Sequence, residues 1–274
     1  MSLQTGERKE PKKEPGQGLS GRRPGGNPEE VDSAPVTLYL TRHGRTTANV
    51  MHLMQGWSDF PLTRQGREDV RTFGRGLRGI RFRSAYCGNL TRHYDTAREA
   101  LDNSGNGDVQ IEVIPDLRED NFGSFEGREE DEIIPLVART LGLATWQEAV
   151  ERYGRHVTEH MQDAFHRMDL EEDPYRAGLA DEDRAETTAQ VQGRMLSAVT
   201  GIARTAASQG GGNVLVVSSG MCLQQLLLVL LDEEVDIPGM DNTATTRLVY
   251  ENGIFSLDGP VSSMDYYRRG ADLG

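Results

Sequence analysis

Long hydrophobic runs are missing from this 274-residue chain. The longest, Leu226–Leu231, falls far short of the roughly 20 apolar residues that span a bilayer, so no membrane segment is expected. Cysteine is scarce. Cys87 and Cys222 both sit in apolar stretches, which reads as two buried, reduced thiols of a cytoplasmic protein rather than a disulfide framework or a Cys/His metal site. Positive charge is in deficit: 30 Lys and Arg stand against 43 Asp and Glu, a net charge of −13. That excludes a general nucleic-acid or anionic-membrane binder, which needs a basic surface. The N-terminal residues are polar, so no apolar signal segment is expected there. Histidine is sparse as well, with six residues and none beyond His166. Internal repeats are absent.

What is present divides into a tail and a domain. Met1–Ala34 is rich in Gly, Pro, Lys, Arg and Glu and has almost no large apolar residue. It is expected to be a disordered, dispensable tail, because it cannot bury enough surface to offset its ordering entropy. Residues 35–274 read as one domain of alternating strands and helices. Strands are expected at Val36–Leu40, Arg83–Cys87, Val109–Ile114 and Asn213–Ser218. Ala244–Tyr250 and Gly253–Leu257 form a hairpin around Glu251-Asn252-Gly253. Helices are expected at Arg64–Leu77 (capped by Thr63), Asn89–Leu101, Glu186–Ala207 and Met221–Leu231. Glu129–Arg167 also reads as helical, in a first segment with apolar positions through Leu141 and a second from Trp146 to Phe165. With the acidic loop that follows, it makes an insertion of about residues 129–183, expected to cap a pocket mouth. The pattern predicts an α/β fold: a three-layer α/β/α sandwich with a mostly parallel central sheet and an antiparallel edge. The oligomeric state is left open, a homodimer being one option.

Polar residues collect where the apolar strands stop. Arg42 and His43 follow the first strand, Arg92 the second, Glu119 the third, and Ser218, Ser219 and Gly220 the fourth. Parallel strands bring such ends to one edge of the sheet, where open α/β folds place ligands. Two guanidiniums suit a phosphate, since their planar forks match its oxygens. An imidazole between cations has a lowered pKa and a free lone pair, and so can attack phosphorus. A carboxyl group such as Glu119 can protonate the leaving alkoxide if burial raises its pKa. Such chemistry calls for no metal or other cofactor. His156, His160 and His166 lie at near-helical spacing on the insertion and are expected to be exposed helix residues rather than ligands. Trp57 is a candidate for the pocket wall.

The motifs together resemble the histidine phosphatase superfamily, also called phosphoglycerate mutase-like. LTRHGRTTAN carries the family's Arg-His-Gly signature and its trailing Asn49, and QGWSDFPLTRQG its Gly-x-x-Asp-x-Pro-Leu-Thr-x-x-Gly loop. NLTRHYDTA, LREDNFGSFEG, ETTAQVQGR and NVLVVSSGM match four further segments. The resemblance implies a phosphohistidine on His43, Glu119 as proton donor, and phosphate held by Arg42, Arg92, Asn49 and a second histidine. That histidine is replaced by Ser219. Asn89 and His93 are lesser departures, where the family commonly has Asp and Ala. Successive helical residues point about 100° apart, so His93 is not expected to share the pocket with Arg92. Ser219 then offers one neutral hydrogen bond in place of a cation, a loss of ~3 kcal/mol of transition-state stabilisation, and Ser219→His is expected to speed the reaction.

The implied function is a metal-independent phosphomonoester hydrolase of the histidine acid phosphatase type. It would act on a small phosphorylated metabolite, with free phosphate as the other ligand. A phosphoglycerate mutase-type isomerase and a catalytically inactive phospho-ligand binder are the alternatives.

Overall fold

The computed structural model describes residues 34–171 and 178–274. The expected tail, Ala34 apart, lies outside them, as does residues 172–177 of the acidic loop. The described residues belong to one compact unit.

Four strands run parallel: β1 (Val36–Arg42), β2 (Phe82–Cys87), β3 (Ile111–Val113) and β4 (Gly212–Ser218). A hairpin of β5 (Thr245–Glu251) and β6 (Ile254–Leu257) adds an antiparallel edge. The six form one sheet in the order β3-β2-β4-β1-β5-β6, which is the expected mixed sheet. β1 and β4 carry near-continuous apolar runs because they lie in the middle of the sheet, covered on both faces.

The helices are α1 (Thr47–Met51), α2 (Arg64–Gly76), α3 (Thr91–Ser104), α4 (Glu130–Thr140), α5 (Trp146–Tyr153), α6 (Val157–Leu170), α7 (Thr188–Ser208), α8 (Gly220–Leu230) and α9 (Asp265–Asp272). Alternate residues of a strand point to opposite faces. Leu38 and Leu40 of β1 therefore pack with Val191, Met195, Leu223 and Leu226 of α7 and α8. Tyr39 and the facing residues of β2 and β4 pack with Val70, Phe73, Ala97 and Leu101 of α2 and α3. These are the two outer layers of the sandwich.

The sequence reading needs three corrections at this level. The first helical segment of the insertion ends before Gly142 as expected, but the second is not one continuous helix and breaks at Gly154; the φ angles of 73° at Gly142 and 52° at Gly154 are easy only for glycine. The third strand shrinks to three residues. The C-terminal α9 was not foreseen: its charged sequence hides the one face on which Tyr266 meets Tyr39 and Phe73, with ring centroids 5.8 and 6.4 Å apart.

The insertion builds a small core of its own. Ile133 and Val137 of α4 and Phe165 of α6 pack with Phe122 and Phe125 from the segment after β3, and the Phe122 and Phe165 centroids lie 5.0 Å apart. Among the described residues, no helix is long and apolar enough to cross a membrane.

Candidate active site

Register brings the chemistry together. Parallel pairing aligns Arg42 with Ser218, and the His43 N–H donates to the Ser218 carbonyl at 2.9 Å. His43 and Ser219 therefore leave the sheet side by side. Gly88, the residue after β2, donates to the carbonyl of Val217, so the turn that starts α3 arrives at the same place. Gly44 is required by a close approach: a Cβ there would lie 2.5 Å from Val70 Cγ2 of α2. α2 thus seals the turn that carries the imidazole.

At this edge a cavity of about 380 Å³ is lined by Arg42, His43, Asn49, Glu119 and Gly220, and by Glu130, Ile134 and Met161 of the insertion. The insertion does cap the pocket mouth. His43 is buried and presents a defined face. Its Nδ1 lies 2.8 Å from the Gly44 carbonyl, an acceptor only, so Nδ1 carries the proton and Nε2 keeps the lone pair. Burial, followed by the nearby Arg92 and Arg42 guanidiniums and the His93 ring, holds its pKa well below the ordinary value. Both effects favour the neutral imidazole, the form that can act as a nucleophile.

Arg42 and Arg92 flank it from β1 and α3. Arg42 donates to the Met240 carbonyl at 2.5 Å. Arg92 is fully buried behind the cavity wall and donates to the carbonyls of Ser58 and Gly56 at 2.7 and 2.6 Å. Each guanidinium keeps a buried Nε–H with no partner in the protein. Buried donors are costly to leave unpaired, which makes each Nε–H a candidate donor to an oxyanion. The measurement that checks this is vanadate affinity. Arg42→Ala and Arg92→Ala should each weaken it by roughly 2–5 kcal/mol, the cost of a desolvated charge pair losing one member. Arg92→Ala should lower the melting temperature too, since Gly56 and Ser58 lose their donor. Unchanged affinity in Arg92→Ala would place that side chain outside the oxyanion site.

Asn49 completes a capping box with Thr46 at the start of α1. Its Oδ1 is occupied by Thr46 and Asn242, which leaves its Nδ2 to donate. Glu119 is almost fully buried, and its carboxyl group accepts the N–H groups of Cys222 at 2.8 Å and Met221 at 3.3 Å. It thereby sits against the positive end of α8. Two carboxylates with no role in the sequence reading hold the loops that carry these groups. Glu126 accepts the N–H groups of Gly56, Trp57, Ser58 and Phe122. Glu186 pairs with Arg194 through two contacts of 2.8 Å, and Arg194 also donates to the carbonyls of Asp116, Arg118 and Glu119. The spacing of eight in ETTAQVQGR was the available signal. Trp57 belongs to this scaffold and not to the cavity wall: its Nε1–H donates to the Glu119 carbonyl and its ring lies under Arg118.

The insertion histidines do not converge. His156 pairs with Glu159 and Glu233, His160 stacks on Tyr153, and His166 bonds the Ala185 carbonyl. Among the described residues, Glu119, Asp120 and Cys222 are the one trio whose ligand atoms approach each other as around an ion. Burial raises the pKa of both the Cys222 thiol and the Asp120 carboxyl well above their ordinary values, and the ligand atoms of the trio already have partners within the protein: Glu119 accepts the Met221 and Cys222 N–H groups, Asp120 accepts from Gln225, and Cys222 Sγ meets Ser218 Oγ.

Ser219 and His93 meet behind the cavity, neither of them on its wall. Both are fully buried, and His93 Nε2 lies 2.7 Å from Ser219 Oγ. The His43 and His93 ring centroids are 5.6 Å apart. The buried stripe of α3 takes in both Arg92 and His93, followed by Thr96 and Ala97, so both side chains pack inward although successive residues diverge by about 100°, and neither of them lines the cavity itself. Arg92 reaches the Gly56–Ser58 loop while His93 reaches the turn after β4.

A family model described as histidine phosphatase superfamily, branch 1, matches residues 38–171 and 153–261. The 2,3-bisphosphoglycerate-dependent phosphoglycerate mutase of Bartonella henselae is 35% identical over 99 residues, 35% of this chain and 48% of that protein. The adenosylcobalamin/alpha-ribazole phosphatase of Escherichia coli is 32% identical over 121 residues, 43% of this chain and 58% of that one. The chain thus spans about half the length of the curated relatives it matches. A phosphoglycerate mutase structure from Bacillus anthracis superposes with a TM-score of 0.78 and 33% identity, over 88% of this chain and 99% of that one. The matched stretches contain the Arg42-His43-Gly44 turn, Arg92, Glu119 and the turn after β4, and the chain belongs to the histidine phosphatase superfamily, branch 1.

Proposed function

We propose that the chain is a metal-independent phosphomonoester hydrolase that works through a phosphohistidine on His43. Arg42, Arg92 and Asn49 take the phosphate oxygens. Nε2 of His43 attacks phosphorus, the P–O bond breaks, and the carboxylic acid of Glu119 gives its proton to the leaving alkoxide. The Glu119 carboxylate then takes a proton from water as that water attacks the phosphoryl group, which releases phosphate and restores both side chains. Two buried free thiols suit a reducing compartment, and the reading places the protein in the cytoplasm.

The charge of the cavity beyond the phosphate end carries the choice of substrate. Among the described residues, Arg42 is the one Lys or Arg on its wall, while Glu130 and Asp241 add carboxylates and Met54, Phe122, Ile134, Met161 and Met221 supply apolar surface. A substrate that brings a second anion would bury it without a partner and beside like charges, a cost of several kcal/mol. An alcohol half that is apolar, or carries a positive charge, meets no such cost. The relatives named as phosphoglycerate mutases keep phosphoryl transfer within a sugar acid as the second reading, and the same observation weighs against it.

A substrate panel tests both. Aryl, alkyl and amino-alcohol phosphomonoesters should be hydrolysed with kcat/KM at least about tenfold above that for phosphoglycerates, since a mismatch of 1.4 kcal/mol already gives that ratio. Chelators should leave the rates unchanged. Faster conversion of 3-phosphoglycerate to its 2-isomer than hydrolysis of any monoester would establish the mutase instead.

A further inference from the structure

The site's second imidazole is on α3. His93 is the third residue of that helix, buried between the nucleophile and the turn after β4. Its ring lies beside the His43 ring at a tilt of 43°, and its Nε2 is 2.7 Å from Ser219 Oγ. Ser219 stands at the N-cap of α8 yet makes no side-chain cap. The hydroxyl is given to His93 rather than to the helix.

The backbone has been cleared for this ring. A Cβ on Gly88 would lie 2.3 Å from His93 Nδ1 and 2.9 Å from the Leu117 carbonyl. That same Nδ1 is buried with no partner. An orphaned acceptor nitrogen is tolerated better than an orphaned N–H, so the ring proton belongs on Nε2, pointing at Ser219 Oγ. The Ser219 hydroxyl proton is then free to be donated onward. Thr96 ties the helix to the nucleophile's turn: its hydroxyl accepts the Gly44 N–H at 2.9 Å and donates to the Arg92 carbonyl at 2.7 Å.

We propose that His93 and Ser219 act as one positioning unit of the reaction centre, in which His93 fixes the Ser219 hydroxyl and backs the His43 ring. The pair fills the space between the nucleophile and the turn after β4, and Gly88 makes the room for the ring. This rests on the hydrolase reading of the same cavity. It reverses the expectation for Ser219→His: both side chains are fully buried and His93 Nε2 already lies 2.7 Å from Ser219 Oγ, so a larger side chain at position 219 runs into the His93 ring.

The experiment is steady-state hydrolysis of 4-nitrophenyl phosphate and vanadate affinity by calorimetry, on the full chain. It compares wild type with Ser219→Ala, His93→Ala, His93→Phe, Ser219→His and the double variant His93→Ala/Ser219→His. Ser219→Ala and His93→Ala should each lower kcat about tenfold with little change in KM, less than the hundredfold or more of a direct oxyanion donor. His93→Phe keeps a ring without the hydrogen bond and should be as slow as His93→Ala. Ser219→His alone should be slower than wild type, and the double variant faster than either of its parents. Vanadate affinity should follow the same order. Wild-type kcat and vanadate affinity in His93→Phe would reduce the residue to packing and overturn the proposal, as would a gain in rate on Ser219→His alone. Wild type that binds vanadate without turning over any monoester would remove the hydrolase reading, and the vanadate series alone would then decide the role of the pair.

Discussion

His43→Ala should abolish turnover, with kcat at least about a thousandfold down, as when other covalent nucleophiles are removed. The argument is geometric before it is electrostatic. The strand carries the ring to the cavity edge, the Gly44 carbonyl holds the proton on Nδ1 at 2.8 Å, and Nε2 is left as the reacting atom. Burial and the two neighbouring guanidiniums then keep the ring neutral, since a second positive charge would be repelled in a low-dielectric site. The sign for pH dependence follows. A nucleophile whose pKa is lowered well below the usual value stays unprotonated as the solution turns mildly acidic. Any acid limb of kcat above pH ~6.5, the ordinary imidazole value, must therefore belong to another group. Wild type quenched during turnover should carry acid-labile, base-stable phosphate, and His43→Ala should carry none. Full activity in that variant would sink the mechanism.

Glu119→Gln should separate substrates by their leaving groups. The carboxyl group lines the cavity and is held by N–H groups at the start of α8. The loop behind it is pinned through its own carbonyl by Trp57 and Arg194. Gln can keep one acceptor for those N–H groups, so the loop should stay in place. What is lost is the proton. On an alkyl phosphate, whose alkoxide is strongly basic, kcat/KM should fall by roughly 10²–10⁴. On 4-nitrophenyl phosphate, whose leaving group needs little help, kcat/KM should fall far less. Hydrolysis of the intermediate loses its base in both cases, so phosphohistidine should accumulate with the aryl substrate. Equal losses of kcat/KM on the two substrates would show that Glu119 does not protonate the leaving group.

The chain by itself determined the layered α/β architecture, because strand and helix periodicities and caps are local. Thr63 and Thr46 cap α2 and α1, and the apolar runs of β1 and β4 lie at the centre of the sheet. It pointed too to Arg42, His43 and Glu119 lining one cavity, since parallel strand ends share an edge and these residues end β1 or follow β1 and β3. The Gly142 and Gly154 breaks were local as well and were visible as glycines, although the apolar spacing read through the second of them. Tertiary structure alone decided what stands behind His43. Whether His93 shares a site with Arg92 depends on how widely the site wraps around α3, and on the absence of a Cβ at Gly88. Neither is encoded in the helical period. Ser219 taken alone looks like a lost charge. Beside His93 it is half of a buried pair, because two side chains 126 positions apart in sequence lie 2.7 Å apart in the fold. The same holds for Glu126 and for the Glu186–Arg194 brace, whose partners are backbone groups of distant loops. A residue's type and spacing name its chemistry, but which unsatisfied group it meets is set when β1, β2 and β4 align in register and bring their turns together.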